Sequence, residues 1–330
     1  MDRRNFLQAG VSATTLLGMG RTAFAQSGGA LRKIVIGTTS GNSGATLFRI
    51  MRDRGIFEEF GLDAEILSVG DGNKIVTGVL AGDIDMCRAS GFGQVLTAIE
   101  KGAALKVTGG ASVLITQALF TSRPEIRTLK DLDGKTIGTG APGALLHNMT
   151  TVLLRKNGID PDSVTFVNIG SSNQVFRAVA AGTVDAGPSQ LDVYDGQARF
   201  GVHSIADFWS ELPEYPYQAS YSSSRAIRDK RDTLVSCMAA LGRLYDYVQG
   251  PGLRDSYVNA YVSATNGDPR DAESQWDLLH RVKPFDLNLD AGKVDYMQDL
   301  NLEFGIQKKK LPVDQVVDFS ISADALKLLA

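Results

Sequence analysis

Residues 70–85 and 170–185 repeat one another at a constant offset of 100. GDGNKIVTGVLAGDID stands above GSSNQVFRAVAAGTVD, with Gly70/Gly170, Asn73/Asn173, Val79/Val179, Ala81/Ala181, Gly82/Gly182 and Asp85/Asp185 identical. A repeat of this kind predicts two copies of one supersecondary unit. The likeness extends upstream, where Ile36-Gly37-Thr38 and a periodic stretch ending Arg54-Gly55 parallel Ile137-Gly138-Thr139 and a stretch ending Asn157-Gly158. Each copy reads as strand, Gly-rich loop, amphipathic helix, strand, loop, second helix and third strand. The strands are short β-branched runs at 34–36, 66–69 and 164–169, and Leu47, Ile50 and Met51, or Leu153 and Leu154, fall at helical spacing. Strands alternating with helices predict parallel sheets with right-handed crossovers, so the fold class is α/β with two doubly wound lobes. In such sheets a ligand sits off the carboxyl ends of the strands, at loops that open helices. The repeat nominates those loops twice: residues 40–44 with 71–73, and 140–144 with 171–173.

Length and charge agree with two lobes. A chain of 330 residues with 43% apolar content is expected to build more than one domain. Its 34 Lys+Arg against 37 Asp+Glu leave a net charge of −3, which argues against a nucleic-acid partner. Cys87 and Cys237 show no metal-ligand spacing and read as small buried apolar residues, and no cofactor is implied. At the N-terminus Arg3-Arg4-Asn5-Phe6-Leu7, a weakly apolar run over 9–20 and Ala23-Phe24-Ala25 read as a signal peptide over 1–25, of the twin-arginine type. The apolar run is too short to span a bilayer and no cysteine follows to carry a lipid. The expectation is an exported, soluble protein of a Gram-negative periplasm.

The residues also carry a family resemblance. Ile34-Val-Ile-Gly37, Arg54-Gly-Ile-Phe-Glu-Glu-Phe-Gly-Leu-Asp63, Ala81-Gly-Asp-Ile-Asp85, Leu129-Lys-Asp-Leu-Asp-Gly-Lys-Thr-Ile-Gly138 and Gly158-Ile-Asp-Pro-Asp-Ser-Val-Thr165 follow in order. The set resembles the ABC-transporter periplasmic solute-binding proteins of the sulfonate/nitrate/taurine and thiamine-pyrimidine-precursor (NMT1/THI5-like) type. It covers residues 33–245, and the stretch from Leu302-Glu-Phe-Gly305 to Val316-Val-Asp-Phe319 is similar to the family's ending. The resemblance implies a type II periplasmic-binding-protein fold, with lobe one at 31–115 and 222–330 and lobe two at 116–221. The two lobes would be joined by a two-segment hinge near 113–121 and 216–222. Residues 234–248 would form a long helix returning to lobe one. A small-molecule ligand, an ABC permease as partner and a monomer are implied with it.

Arg88 is the leading ligand candidate, because an arginine at the end of a strand buried on both faces is out of pattern. A buried guanidinium needs a partner, and two readings stand: a carboxylate or sulfonate ligand, or an Asp of a neighbouring loop. Ser40, Asn42 and Ser43, then Asp71 and Asn73, Gly140, Gly143 and Ala144, and Ser171 and Asn173 lie in the four loops. There they either offer helix N-termini to an anion or simply cap helices. Asp71 would repel an anion, and reads either as a cap pointing away or as a contact to a cationic or amide-bearing ligand. Ser90, Ser189 and Gln190 after the third strands, and Tyr217 and Tyr221 at the return crossing, complete the set. His147 lies one turn into the lobe-two helix. No nucleophile elbow, P-loop or metal cluster is present, so the expected function is binding without catalysis. The ligand class is a small organic anion, sulfonate or carboxylate and including aromatic ones. The alternatives are a neutral or amino-bearing heterocycle such as a pyrimidine, and an enzyme on the same fold.

Overall fold

Among the described residues ten strands form around two cores, the first of each repeat unit being a short β-branched run that ends at a Gly-rich loop. The computed structural model describes residues 30–330 except 71, 191 and 192; the expected signal peptide and Asp71 therefore lie outside the described residues. The strands are β1 (Arg32–Thr39), β2 (Leu62–Val69), β3 (Met86–Ser90), β4 (Leu105–Gly110), β5 (Gln117–Thr121), β6 (Thr136–Thr139), β7 (Thr165–Asn168), β8 (Ala186–Gln190), β9 (His203–Asp207) and β10 (Ala219–Ser223). Helices of the first half are α1 (Asn42–Asp53), α2 (Ile56–Glu59), α3 (Gly72–Ala81) and α4 (Phe92–Glu100). The second half carries α5 (Leu145–Lys156), α6 (Ser172–Ala180) and α7 (Phe208–Glu211). The remainder is helical: α8 (Ser224–Asp229), α9 (Arg231–Gln249), α10 (Arg254–Thr265), α11 (Pro269–Val282), α12 (Ala291–Glu303), α13 (Val313–Val316) and α14 (Ser320–Leu329).

Two five-stranded sheets form, in the orders β2-β1-β3-β10-β4 and β7-β6-β8-β5-β9. They share one plan, in which the first three positions are the parallel strands of the repeat. The fourth strand runs antiparallel to both neighbours, so each sheet is mixed rather than wholly parallel as the alternation predicts. That strand is the one formed just after the chain crosses between lobes: β5 on the way out and β10 on the way back. Ala219–Ser223 thus pairs with β3 and β4 in the first sheet, whereas the sequence reading assigns residues up to 221 to lobe two. The hydroxyl-rich run Ala-Ser-Tyr-Ser-Ser lacks the apolar signature of a buried central strand, and its burial comes from tertiary packing.

The repeated residues have structural work in each copy. Asp85 accepts from the Val35 amide of β1 (3.0 Å) and from Lys230 (2.7 Å). Asp185 accepts from the Thr136 amide of β6 (2.9 Å), from its hydroxyl (2.8 Å) and from Arg123 (3.1 Å). Each carboxylate thereby pins the third strand of its unit to the first. Gly37 and Gly138 leave room for Ile84 and Val184, against which an added Cβ would stand 2.9 and 3.0 Å away. Cys87 and Cys237 are free and buried, and burial pushes the Cys87 thiol up to about 12. The expected long helix over 234–248 is α9, which packs with α1, α14 and the first sheet.

Candidate functional site

Two backbone segments cross between the sheets, residues 111–116 and 212–218, and they hydrogen-bond to each other. The Gln218 amide donates to the Ser112 carbonyl (2.8 Å) and the Ala111 amide to the Gln218 carbonyl (3.3 Å). A third strand of chain lies alongside: the Gly110 amide donates to Leu287 and the Val113 amide to Pro284 (2.8 and 2.7 Å), which carries Phe285 to the crossing. A cleft open to solvent lies beside this hinge.

Its floor is the end of β1 and the start of α1, contributing Thr38, Thr39, Ser40, Gly41, Ser43 and Gly44. Gly41 is the N-cap of α1 and no side chain caps that helix, so the amides of its first turn face the cleft's floor without a side-chain competitor. The opposite lobe contributes Gln190 from the end of β8, and the hinge contributes Ser112, Thr116, Tyr217 and Gln218. Gln275 and Leu279 of α11, with Phe285, close one side. Tyr217 accepts from Gln117 (2.7 Å), whose amide nitrogen also donates to Ser172 (3.1 Å); burial pushes the Tyr217 phenol up to about 12, so it stays neutral.

Arg88 reaches the cleft through a break in strand register. Ile36 and Gly37 of β1 pair with Met86 and Cys87, but Thr38 pairs with Ala89, and on the other side Ala219 pairs with Ser90 and Tyr221 with Cys87. Arg88 is therefore the extra residue of a β-bulge against both neighbours, a device that re-aims a side chain out of the regular pleat. The Ser220 hydroxyl donates to its carbonyl (2.6 Å), holding the bulge. The residue is 5% exposed, and its guanidinium lies 5.7–5.9 Å from the ring centres of Phe48, Tyr245 and Phe285. Its Nε has no hydrogen-bond partner, and among the described residues no carboxylate lies within ion-pair distance. Burial raises the Tyr245 phenol, while the Arg88 charge beside it acts in the opposite sense. Arg88 is the one charged side chain in the lining among the described residues.

Of the residues singled out from sequence, Ser40, Ser43, Arg88, Gln190 and Tyr217 meet in this cleft. The other described candidates do not line it. Asn42 opens α1 and its carbonyl accepts from Thr46 (2.8 Å); Asn73 does the same for Thr77 in α3 (3.0 Å). Ser90 is buried at the end of β3, beneath Gly72. Gly140 and Gly143 precede α5, Ala144 is its N-cap, and the Gly143 carbonyl accepts from Asn148 (3.0 Å). Ser171 forms a capping box with Gln174, followed by Asn173 in the first turn of α6, and Ser189 donates to the Ser172 carbonyl (3.4 Å). Tyr221 is fully buried inside the first sheet beside Cys87, where burial raises its phenol. His147 stacks near Phe166 and is not part of the lining. Sequence reasoning missed Thr38, Thr39, Ser112, Thr116, Gln275, Leu279 and Phe285. The first two adjoin a loop already nominated and the next two lie in the first crossing, but the last three are far from either repeat and carry no local signal.

Comparison with known proteins follows the same outline. The model of a family described as NMT1/THI5 like matches residues 43–251. The chain belongs to that family. A curated relative, "Putative binding protein YtlA" of Bacillus subtilis (strain 168), is 23% identical over 286 residues, covering 83% of this chain and 84% of the relative. Among solved structures, the alkanesulfonate-binding protein SsuA from Xanthomonas axonopodis pv. citri bound to MOPS superposes with a TM-score of 0.72 at 19% identity, over 88% of this chain and 99% of that one. The periplasmic nitrate-binding protein NrtA from Synechocystis PCC 6803 gives 0.73 at 10% identity, over 91% and 89%. These likenesses establish the type II periplasmic-binding fold, with two α/β lobes. No helix among the described residues is long and apolar enough to cross a membrane, and no group of three His, Cys, Asp or Glu is placed to hold a metal.

Proposed function

We propose that this NMT1/THI5-like protein is an exported solute-binding protein that takes a small organic anion, a sulfonate or carboxylate, into the cleft and delivers it to an ABC permease. The observation that carries this reading is Arg88: a buried, bulged guanidinium with an unpartnered Nε, alone in charge among the described residues of a lining otherwise made of hydroxyls, amides, backbone and the apolar Leu279 and Phe285. Leaving such a group unpaired is costly, and an oxyanion satisfies it bidentately. The uncapped first turn of α1 adds amide donors and the positive end of the helix dipole. Ser40, Ser43, Gln190 and Tyr217 are proposed as the remaining contacts from the original set.

Binding rather than catalysis fits a lining without His, Cys, Asp, Glu or Lys among its described residues, where the one remaining acid–base type, Tyr217, has its phenol pushed up to about 12 by burial, far from neutral pH. The hinge at 111–116 and 212–218 would let lobe two rotate and bury the ligand against Arg88, closure being driven by the ligand's preference for the closed form. Export through the twin-arginine signal, residence in the periplasm and a monomeric state are part of the same proposal. The test is thermal unfolding of the chain from Gln26 onward against sulfonates, carboxylates, pyrimidines and inorganic oxyanions. A ligand at 100 times its dissociation constant adds about 2.7 kcal/mol and raises the midpoint by several degrees. Stabilisation by pyrimidines with none by any acid would overturn the anion reading.

A further inference from the structure

Gln275 lies outside the segment matched by the family model, yet it lines the cleft. It is 5% exposed, and α11 is oriented by its buried Ala272, Trp276 and Leu279, so the side chain has little freedom. Tyr257 of α10, fully buried, donates its hydroxyl to the Gln275 Oε1 and stands 5.5 Å from the Trp276 ring. That bond takes one lone pair of the amide oxygen and sets the amide's orientation. Its Nε2 group is a pure donor with no hydrogen-bond partner among the described residues. The same helix grips the other lobe: Ser274 accepts from the Asp195 amide (3.2 Å), and Asp271 pairs with Arg199.

We propose that Gln275 determines specificity by donating through Nε2 to a second oxygen of the bound acid, so that the receptor selects small acids bearing a hydroxyl or oxo oxygen beside the acid group. The inference rests on the anion reading above, with Arg88 taking the acid and Gln275 the second oxygen. Once a ligand fills the cleft and shuts water out, a donor left unpaired penalises the analogue that lacks the oxygen, which is how hydrogen-bonding sites discriminate more sharply than apolar ones. Because Tyr257 presets the amide, little ordering cost offsets the contact. Acceptors are selected and ammonium or amide N–H groups at that position are refused.

Isothermal titration with matched pairs tests this: isethionate against ethanesulfonate, and lactate against propionate. In the wild type the hydroxylated member of whichever pair binds is expected to be tighter by about tenfold or more. In Gln275→Leu the preference falls to about threefold or less. Gln275→Glu keeps an acceptor for Tyr257 and so preserves the packing, while its carboxylate weakens both members. Equal affinities within each pair in the wild type, or a preference that survives in either variant, overturn the role of Gln275 and leave the anion receptor standing. Failure of the wild type to bind any of the four acids overturns the inference about Gln275, and the anion reading falls with it when no acid stabilises the protein either.

Discussion

Replacing Arg88 by methionine separates a ligand clamp from an internal ion pair through the sign of two effects. In the unliganded protein the substitution removes contacts to Phe48, Tyr245 and Phe285 at 5.7–5.9 Å, near the outer limit for cation–π attraction. Each such contact is worth about 0.5 kcal/mol at that range, about 1.5 kcal/mol together. The same substitution abolishes a buried Nε–H without a partner, whose desolvation costs about 1–3 kcal/mol. Methionine fills much of the stem's volume, so the cavity contribution is small. The two effects nearly cancel, and the unliganded midpoint is expected within about 3 °C of wild type. An arginine paired with an internal carboxylate behaves differently, because stripping one partner of a buried pair costs about 3–5 kcal/mol. Binding falls the other way: losing one partner of a desolvated charge pair costs about 2–5 kcal/mol, or roughly 30-fold to several thousandfold in affinity. Differential scanning calorimetry after removal of any carried-over ligand, followed by titration with the acid that stabilises the wild type, measures both. A midpoint lowered by about 8 °C or more, or an affinity within about threefold of wild type, would refute the reasoning.

Three further outcomes are expected. Burial alone would raise Asp185, but donation from Thr136 and the Arg123 charge outweigh it and hold the carboxyl below its ordinary value of 3.8. The stability it contributes is therefore present above pH 3.8 and lost as the pH falls through the lower native value. Asp185→Asn should cost about 1–2 kcal/mol at neutral pH and flatten the acid limb of the stability profile, measured by urea unfolding from pH 7 to pH 2. Gly110→Ala would set a Cβ 2.4 Å from the Asp286 carbonyl and 2.8 Å from that of Asn288. The displaced segment carries Phe285, so a loss of about 1–3 kcal/mol in stability should come with weaker ligand binding; a variant as stable as wild type would show that the segment yields freely. Arg199 lies with the second sheet and pairs with Asp268 (3.3 Å) and Asp271 at the start of α11, across the two lobes. Arg199→Ala should speed ligand release in stopped-flow displacement, with an effect that fades in high salt; a salt-independent change would place its cause elsewhere.

Much of the architecture was legible because it depends on local rules applied twice. Gly82 and Gly182 follow helix ends in the left-handed region, at φ of 90° and 69°, where only glycine is comfortable. Asp85 and Asp185 anchor strands from a fixed position in each copy, and the loops after β1 and β6 open helices as the Gly-rich spacing predicts. A repeat visible at one offset thus determines two lobes, their parallel strands and the neighbourhood of the site. Arg88 stood out for the same reason, as a charge in a run whose neighbours must be buried.

Tertiary structure alone decided which loops became the cleft. The two repeat units are similar in sequence, yet the cleft takes its floor from the β1–α1 loop and, among the described residues, only Gln190 from the strand ends of the other lobe. The α6 start is closed by the Ser171–Gln174 capping box, while the α5 start, behind Ala144, lies outside the lining. The bulge that turns Arg88 out of the sheet is a register relation among three strands, one of them β10, separated from β3 by well over a hundred residues. Gln275, Leu279 and Phe285 arrive from a helical return that packs on the first lobe, and nothing in their local spacing marks them. Local sequence sets secondary structure through short-range sterics and capping. A binding site is instead made by whichever surfaces long-range packing brings face to face, and that depends on every element at once.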